Sequence, residues 1–176
     1  MENNIELLIL TGPVGVGKSI VSEAVYQLLA DRGIASAMID VDCFRSAFPP
    51  PYDDRFNSRL VIKNLASMWP NYAESGISRL IIPNVIETSD EIEDYKSAIP
   101  NVRVTIIRLT ASIPTLHKRL ERRESGSSLN WHKHRAIELK EQFESRFLED
   151  FIIDTEGKPI DLVAQEAVKI WLNKIV

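Results

Sequence analysis

Hydrophobic positions along the chain alternate between short unbroken runs and longer stretches in which every third or fourth residue is apolar. The first run, residues 5–10, reads Ile-Glu-Leu-Leu-Ile-Leu, as expected of a strand buried on both faces of a parallel sheet. Val21, Ala24, Val25 and Leu28 then recur at helical spacing, and Gly33 supplies a stop. Residues 35–39 predict a short second strand that ends at Asp40. The segment Phe48-Pro49-Pro50-Pro51-Tyr52 fits neither a helix nor a sheet interior and predicts a surface loop. From about Phe56, the residues Val61, Leu65, Met68, Trp69 and Tyr72 trace one helical face up to Gly76, with Pro70 expected to kink the helix or end it early.

Residues 79–83 predict a third strand, and Thr88-Ser89-Asp90-Glu91 has the spacing of a capping box that opens a short helix. Residues 102–109 predict the fourth strand, and Ser112 with Pro114 opens a helix whose Leu116 and Leu120 face inward. Ala136, Leu139, Phe143 and Phe147 mark one side of a further helix. Residues 151–153 form the fifth strand, and Val163, Ala167, Ile170 and Trp171 line the inner face of the last helix. Strands alternating with helices in this order predict an α/β fold: a five-stranded parallel sheet, right-handed crossovers and helices on both faces.

Ligands of such sheets sit beyond the carboxyl ends of the strands, which gathers Asp40, Asp42, Asn84 and Glu87 into one crevice. The first strand runs straight into Gly12-Pro13-Val14-Gly15-Val16-Gly17-Lys18-Ser19, matching G-x-x-x-x-G-K-[ST] at every fixed position. Glycines there let successive backbone N–H groups turn inward onto phosphate oxygens. Lys18 adds a point charge, Ser19 offers a hydroxyl to Mg²⁺, and the helix they open directs its positive end at the same phosphates. Residues 12–20, through Ile20, are therefore the expected ATP-binding segment.

Composition narrows the partners. The chain has 176 residues, 44% hydrophobic and 26% charged, enough for one domain over 1–176 without linkers or repeats. A net charge of -4 argues against nucleic acid or anionic lipid as a general partner. The single cysteine, Cys43, fits a reducing compartment, and Met1-Glu2-Asn3-Asn4 lacks the basic character of a secretory leader, so a cytoplasmic location is expected. No run approaches the roughly 20 apolar residues that span a bilayer. Oligomeric state is left open.

Phosphoryl transfer needs positioning, positive charge and a carboxylate near the attacking hydroxyl. Asp42 is the candidate carboxylate, with Asp40 as a Mg²⁺ partner or as the group that orients it, although two acids after a strand also suit a helix cap. Arg119, Arg122 and Arg123 share one side near a helix end, and Gly126-Ser127-Ser128 is expected to loosen the chain behind them. That pattern suits a lid over about 119–134, with Arg119 and Arg123 as catalytic cations, and equally suits cations placed against a helix C-terminus. Arg45, one helical turn from Asp42, is a candidate for an anionic or polar substrate group. Trp131, His132 and His134 receive no role.

Together these motifs resemble the small P-loop kinases of the nucleoside and nucleotide kinase group along the whole chain. Val41-Asp42-Cys43 with Ala47-Phe48-Pro49 resembles the segment of chloramphenicol phosphotransferases that carries their proposed catalytic Asp. Residues 80–83 and the stretch from Thr115 through Arg123 to Trp131 resemble the tunicamycin resistance proteins, with adenylyl-sulfate and gluconate kinases as looser relatives. The resemblance implies strand order 2-3-1-4-5, and it implies that residues 154–159, with Gly157 and Pro159, lie near the adenine. It also exposes a departure: the third strand ends in Pro83-Asn84 where many P-loop proteins carry an acid. Asn84, expected on the substrate side, leaves the Mg²⁺ burden on Ser19 and the Asp pair, as shikimate-type kinases would allow.

The expected activity is ATP- and Mg²⁺-dependent transfer of the γ-phosphoryl group to a hydroxyl of a small molecule, such as a nucleoside, sugar, adenylyl sulfate or antibiotic. The alternative is a nucleotide-dependent binding or regulatory ATPase without such an acceptor, and Asn84 is the feature that favours it. Kinase action on nucleic-acid ends rests only on the local arginines.

Overall fold

The computed structural model describes residues 5–173; Met1-Glu2-Asn3-Asn4 lies outside them. Strand β1 (Ile5–Thr11) is buried at every position and leads through the phosphate loop into α1 (Lys18–Asp31). Then come β2 (Ala37–Met38), a 3-10 helix (Val41–Phe44), α2 (Ser58–Glu74), β3 (Arg79–Pro83) and α3 (Ser89–Ala98). The chain continues with β4 (Val102–Thr110), α4 (Ile113–Glu121), α5 (Gly126–Arg146), β5 (Phe151–Asp154) and α6 (Ile160–Asn173).

All strand pairs are parallel, in the order β2-β3-β1-β4-β5. β1 is central, with Leu7 opposite both Leu80 of β3 and Val104 of β4. Because successive side chains point to opposite faces, Leu8 and Leu10 enter the core that holds Val25, Leu29 and Trp171. Leu7 and Ile9 join the opposite core, with Leu65, Trp69 and Tyr95 from α2 and α3. The uninterrupted hydrophobicity of β1 is thus the signature of a strand covered on both sides. Among the described residues no helix is long and apolar enough to cross a membrane.

Local sequence explains most boundaries. Ser112 caps α4 by accepting from the Thr115 N–H, and Pro114 sits in its first turn. Thr88 caps α3 through the Glu91 N–H, whereas the Glu91 carboxylate accepts from Glu87 N–H at 3.0 Å, one residue before the cap. Several expectations are corrected. The second strand shrinks to Ala37–Met38, although Ile39 N–H still donates to the Ile81 carbonyl. Leu29, not Leu28, is the fully buried leucine at the end of α1. Pro70 does not stop α2, which runs on to Glu74. The proline deprives only the Ala66 carbonyl of its partner, and both residues lie on the exposed side, where water can serve. Phe147 leaves the apolar face altogether: it is the C-cap of α5 with φ 49° and is 73% exposed. Gly126-Ser127-Ser128 forms the first turn of α5, and residues 122–125 make the short connection from α4.

Candidate active site

The phosphate loop is shaped by close approach to its neighbours. Gly12, at φ 140°, runs so near β4 that a Cβ on it would lie 2.3 Å from the Leu109 carbonyl oxygen. A Cβ on Gly15 would meet Leu120 Cγ at 3.0 Å and the Leu116 carbonyl oxygen at 3.1 Å, so the loop rests against α4. Gly17, at φ 104°, is the N-cap of α1. Lys18 Nζ donates to the carbonyls of Gly12 at 2.9 Å and Pro13 at 3.3 Å, closing the loop over its own carbonyls.

Arg119 ties this loop to the far edge of the sheet. Its Nη1 donates to the Val16 carbonyl at 3.0 Å and to Thr155 Oγ1 at 2.9 Å, while Nη2 donates to the Thr155 carbonyl at 3.0 Å. Thr155 in turn donates to the Thr110 carbonyl. Next in sequence, the Glu156 carboxylate accepts from the Ser112 N–H and the Thr115 hydroxyl at the head of α4, and these bonds hold its carboxyl below the usual range. Lysine cannot reproduce the planar fork of Arg119. Arg119→Lys is therefore expected to weaken ATP binding about tenfold, read by titration calorimetry; unchanged affinity would remove Arg119 from the nucleotide site.

Burial by the loop walls lowers the Lys18 ammonium to about 8; Asp42 and Asp40 oppose that shift, and Arg123 adds to it. The charges of Asp40, Asp42 and Arg123 therefore all act at Lys18, one from each candidate group. The free protein loses the Lys18 charge as pH rises through about 8, below its ordinary 10.5. Bound phosphates favour the ammonium, so ATP binding should take up a proton at Lys18 between these values and little near pH 7. Calorimetry in buffers of different ionisation enthalpy, with the Mg²⁺ complex of ATP, checks this: binding enthalpies should diverge near pH 9 and draw together near pH 7, above the titration of the terminal phosphate.

Across the cleft, Asp40 caps the 3-10 helix by accepting from the Asp42 N–H at 3.1 Å, which leaves the Asp42 side chain 71% exposed. Arg45 Nε lies 2.8 Å from Asp42 Oδ1, Nη2 donates to Asn84 Oδ1 at 3.0 Å, and Nη1 donates to the Phe56 carbonyl at 3.2 Å. Asn84 Nδ2 donates to Tyr95 Oη at 2.9 Å. Burial pushes the Tyr95 phenol well above its usual range, so the hydroxyl keeps its proton. Asn84 thus does what an acid could not do alone, accepting from Arg45 while donating to Tyr95. Asn57 Nδ2 binds the carbonyls of Arg45 and Ala47 and fixes the loop entering α2.

These groups open into one cleft of about 940 Å³. Val14, Gly15, Val16, Gly17, Lys18, Ser19 and Ile20 line its donor end with Arg119, Arg122 and Arg123. Asp42, Arg45 and Asn84 line the other end. Gly12 and Pro13 are buried behind the loop, and Asp40 lies behind Asp42. From the segment expected near adenine, Thr155 and Lys158 line the cleft, as does Ile160 just beyond that segment, whereas Gly157 and Pro159 do not. Sequence reasoning missed Tyr95, Glu91 and Arg135. The i, i+4 spacing of Glu91 and Tyr95 on α3 was a usable signal; the ion pair of Arg135 with Glu87 joins residues too far apart to be seen in spacing.

The oxygen donors suit Mg²⁺. Among the described residues no cluster of three or more His, Cys, Asp or Glu forms a metal cage. Mg²⁺ at a nucleotide takes only a donor or two from protein and the rest from phosphate and water. Ser19, exposed at the head of α1, and Asp40 or Asp42 across from it are hard oxygen donors of that kind.

The architecture is that of the P-loop small-molecule kinases. The chain superposes on the gluconokinase of Sinorhizobium meliloti 1021 with a TM-score of 0.62, at 18% identity over 98% of this chain and 97% of that one. For the Mycobacterium tuberculosis APS kinase CysC, solved with AMPPNP and APS, the TM-score is 0.65 at 17% identity over 95% and 97%. The Deinococcus radiodurans tunicamycin resistance protein gives 0.60 at 21% identity over 94% and 95%. No protein-family model and no curated protein sequence matches the chain.

Proposed function

We propose that the chain is an ATP-dependent phosphotransferase that moves the γ-phosphoryl group to a hydroxyl of a small molecule. The observation that carries this reading is the exposed Asp42 carboxylate in the same cleft as Lys18, close enough for its charge to act on the ammonium. Lys18 and the loop N–H groups hold the phosphates of ATP. The acceptor hydroxyl binds at Asp42, and its oxygen forms a bond to the γ-phosphorus while the bond from that phosphorus to the β,γ-bridging oxygen breaks. ADP leaves with that electron pair, and the acceptor's proton passes to Asp42 and then to solvent. Arg123, 57% exposed and paired with Glu124 at 3.4 Å, can swing toward the phosphates. Mg²⁺, when bound, neutralises phosphate charge; Ser19 and Asp40 would hold it.

On this reading 1–176 works as one unit, with a lid over residues 119–134 whose fixed end is Arg119. The test is ADP release across a panel of hydroxyl compounds with wild-type protein and Asp42→Asn. Acceptor-stimulated turnover that the substitution abolishes supports the proposal. ATP affinity with no acceptor-stimulated turnover would favour instead a nucleotide-dependent regulatory ATPase, the reading to which Asn84 lends itself.

A further inference from the structure

The half of the cleft beyond Asp42 has its own composition. Its carboxylates, Asp42, Glu87, Glu91 and Asp94, outnumber its guanidinium groups, Arg45 and Arg135. Both arginines are already engaged. Arg45 meets Asp42, Asn84 and the Phe56 carbonyl. Arg135 pairs with Glu87 and with Glu138 and packs its guanidinium 5.9 Å from the Phe56 ring. An incoming carboxylate or sulfate would have to compete with a protein carboxylate for one of them, and at Arg135 it would separate the partly buried Glu87 from its partner. The Tyr95 hydroxyl, buried at the floor, accepts from Asn84 and so keeps its own proton to donate.

Apolar surface makes up the rest. Phe56, Val61, Ile62, Trp131 and Leu139 line this half, and Phe56 and Trp131 are both exposed large hydrophobics. Glu91 and Asp94 stand one helical turn apart on α3. Burial pushes the Glu91 carboxyl up, as do the charges of Glu87 and Asp94, and the bond from the Glu87 N–H and the Arg45 charge offset this only in part. A cation placed there would relieve that cost.

We infer that the phosphoryl acceptor is an amphiphilic hydroxyl compound that carries no anionic group, with its apolar body on Phe56, Trp131 and Leu139 and an amine toward Glu91 and Asp94. This rests on the phosphotransferase reading, and the transfer step is the one given above. Specificity arises by exclusion as much as by attraction, because an anionic acceptor meets unbalanced carboxylates and the guanidinium groups lining this half are already paired, while Arg55, 5.4 Å from the Phe56 ring, stands outside the lining.

The experiment measures kcat/KM by ADP release for an aryl amino alcohol, an uncharged aryl diol, a hydroxycarboxylate and a sulfated nucleotide. The same compounds are titrated into protein loaded with a non-hydrolysable ATP analogue, a readout that needs no turnover. The amino alcohol and the diol should exceed the two anions by about a hundredfold in kcat/KM and should bind more tightly. Preference for either anion overturns the inference and leaves the phosphotransferase reading intact. Turnover with none of the compounds, together with tighter binding of the anions, overturns both; turnover with none but tighter binding of the amine overturns only the phosphotransfer. Glu91→Gln keeps an oxygen for the Glu87 N–H and should raise KM for the amino alcohol about tenfold while moving the diol less than about twofold. Equal rises for both would show a structural role for Glu91 and refute its contact with the amine.

Discussion

Asp42→Asn should lower acceptor-dependent kcat about a thousandfold while leaving the ATP dissociation constant within about twofold, because a positioned general base contributes on the order of 10²–10⁴ in rate. Asparagine preserves shape, and Arg45 keeps its bonds to Asn84 and the Phe56 carbonyl, so the network to Asn84 and Tyr95 stays in place. What disappears is the site for the acceptor's proton. A second consequence separates chemistry from collapse. Asp42 is the largest influence raising the Lys18 ammonium against burial, so its removal should move the Lys18 titration below about 8. The onset of proton uptake on ATP binding should shift to lower pH by the same substitution. Full acceptor-dependent turnover in the variant would remove Asp42 from the mechanism.

Gly12→Ala should cost about 3 kcal/mol of stability and abolish measurable ATP binding, whereas Gly33→Ala, also at positive φ, should cost only about 1 kcal/mol. Both backbones have positive φ, but 67° at Gly33 is the left-handed helical value that an alanine tolerates, whereas 140° at Gly12 is not. The surroundings differ. A Cβ on Gly33 meets nothing within 4 Å, but on Gly12 it lies 2.3 Å from a backbone oxygen of β4. That oxygen cannot retreat, because β4 is paired with β1 on one side and β5 on the other. For a chain of this length the melting temperature should fall by roughly 10 °C at Gly12 and roughly 3 °C at Gly33. Equal shifts would mean that neither the contact with β4 nor the backbone at φ 140° dictates the glycine at position 12.

The strands and the donor loop were readable from the sequence because each is dictated locally. β3 runs Arg79–Pro83 as the apolar run predicts, and Ser112 and Thr88 cap the helices they announce. Pro70 misled because the rule it invokes concerns an isolated helix, while α2 is held by Trp69 and Leu65 in the core. Phe147 misled because a helical face continues on paper past the residue where the backbone turns left-handed. The acceptor half was the least readable part. Arg45 and Asn84 are marked by their place after strands, yet the bond between them spans 39 residues and is invisible in local spacing. Arg119 was chosen for its position in a cluster, and only the fold shows that it reaches Val16 and Thr155 on separate elements.

The position of β1 also sets how the two halves of the cleft move in time. Gly12 hangs from the end of a strand bonded on both edges and buried along its whole length, so amides there exchange with solvent only when the entire molecule opens. The Asp42 side is carried by a two-residue edge strand, a single 3-10 turn and a proline-rich loop. Such short elements open by local excursions at small free-energy cost. Hydrogen exchange should therefore divide the cleft into a slow donor wall and a fast acceptor wall, with the exchanging amides concentrated between residues 40 and 57.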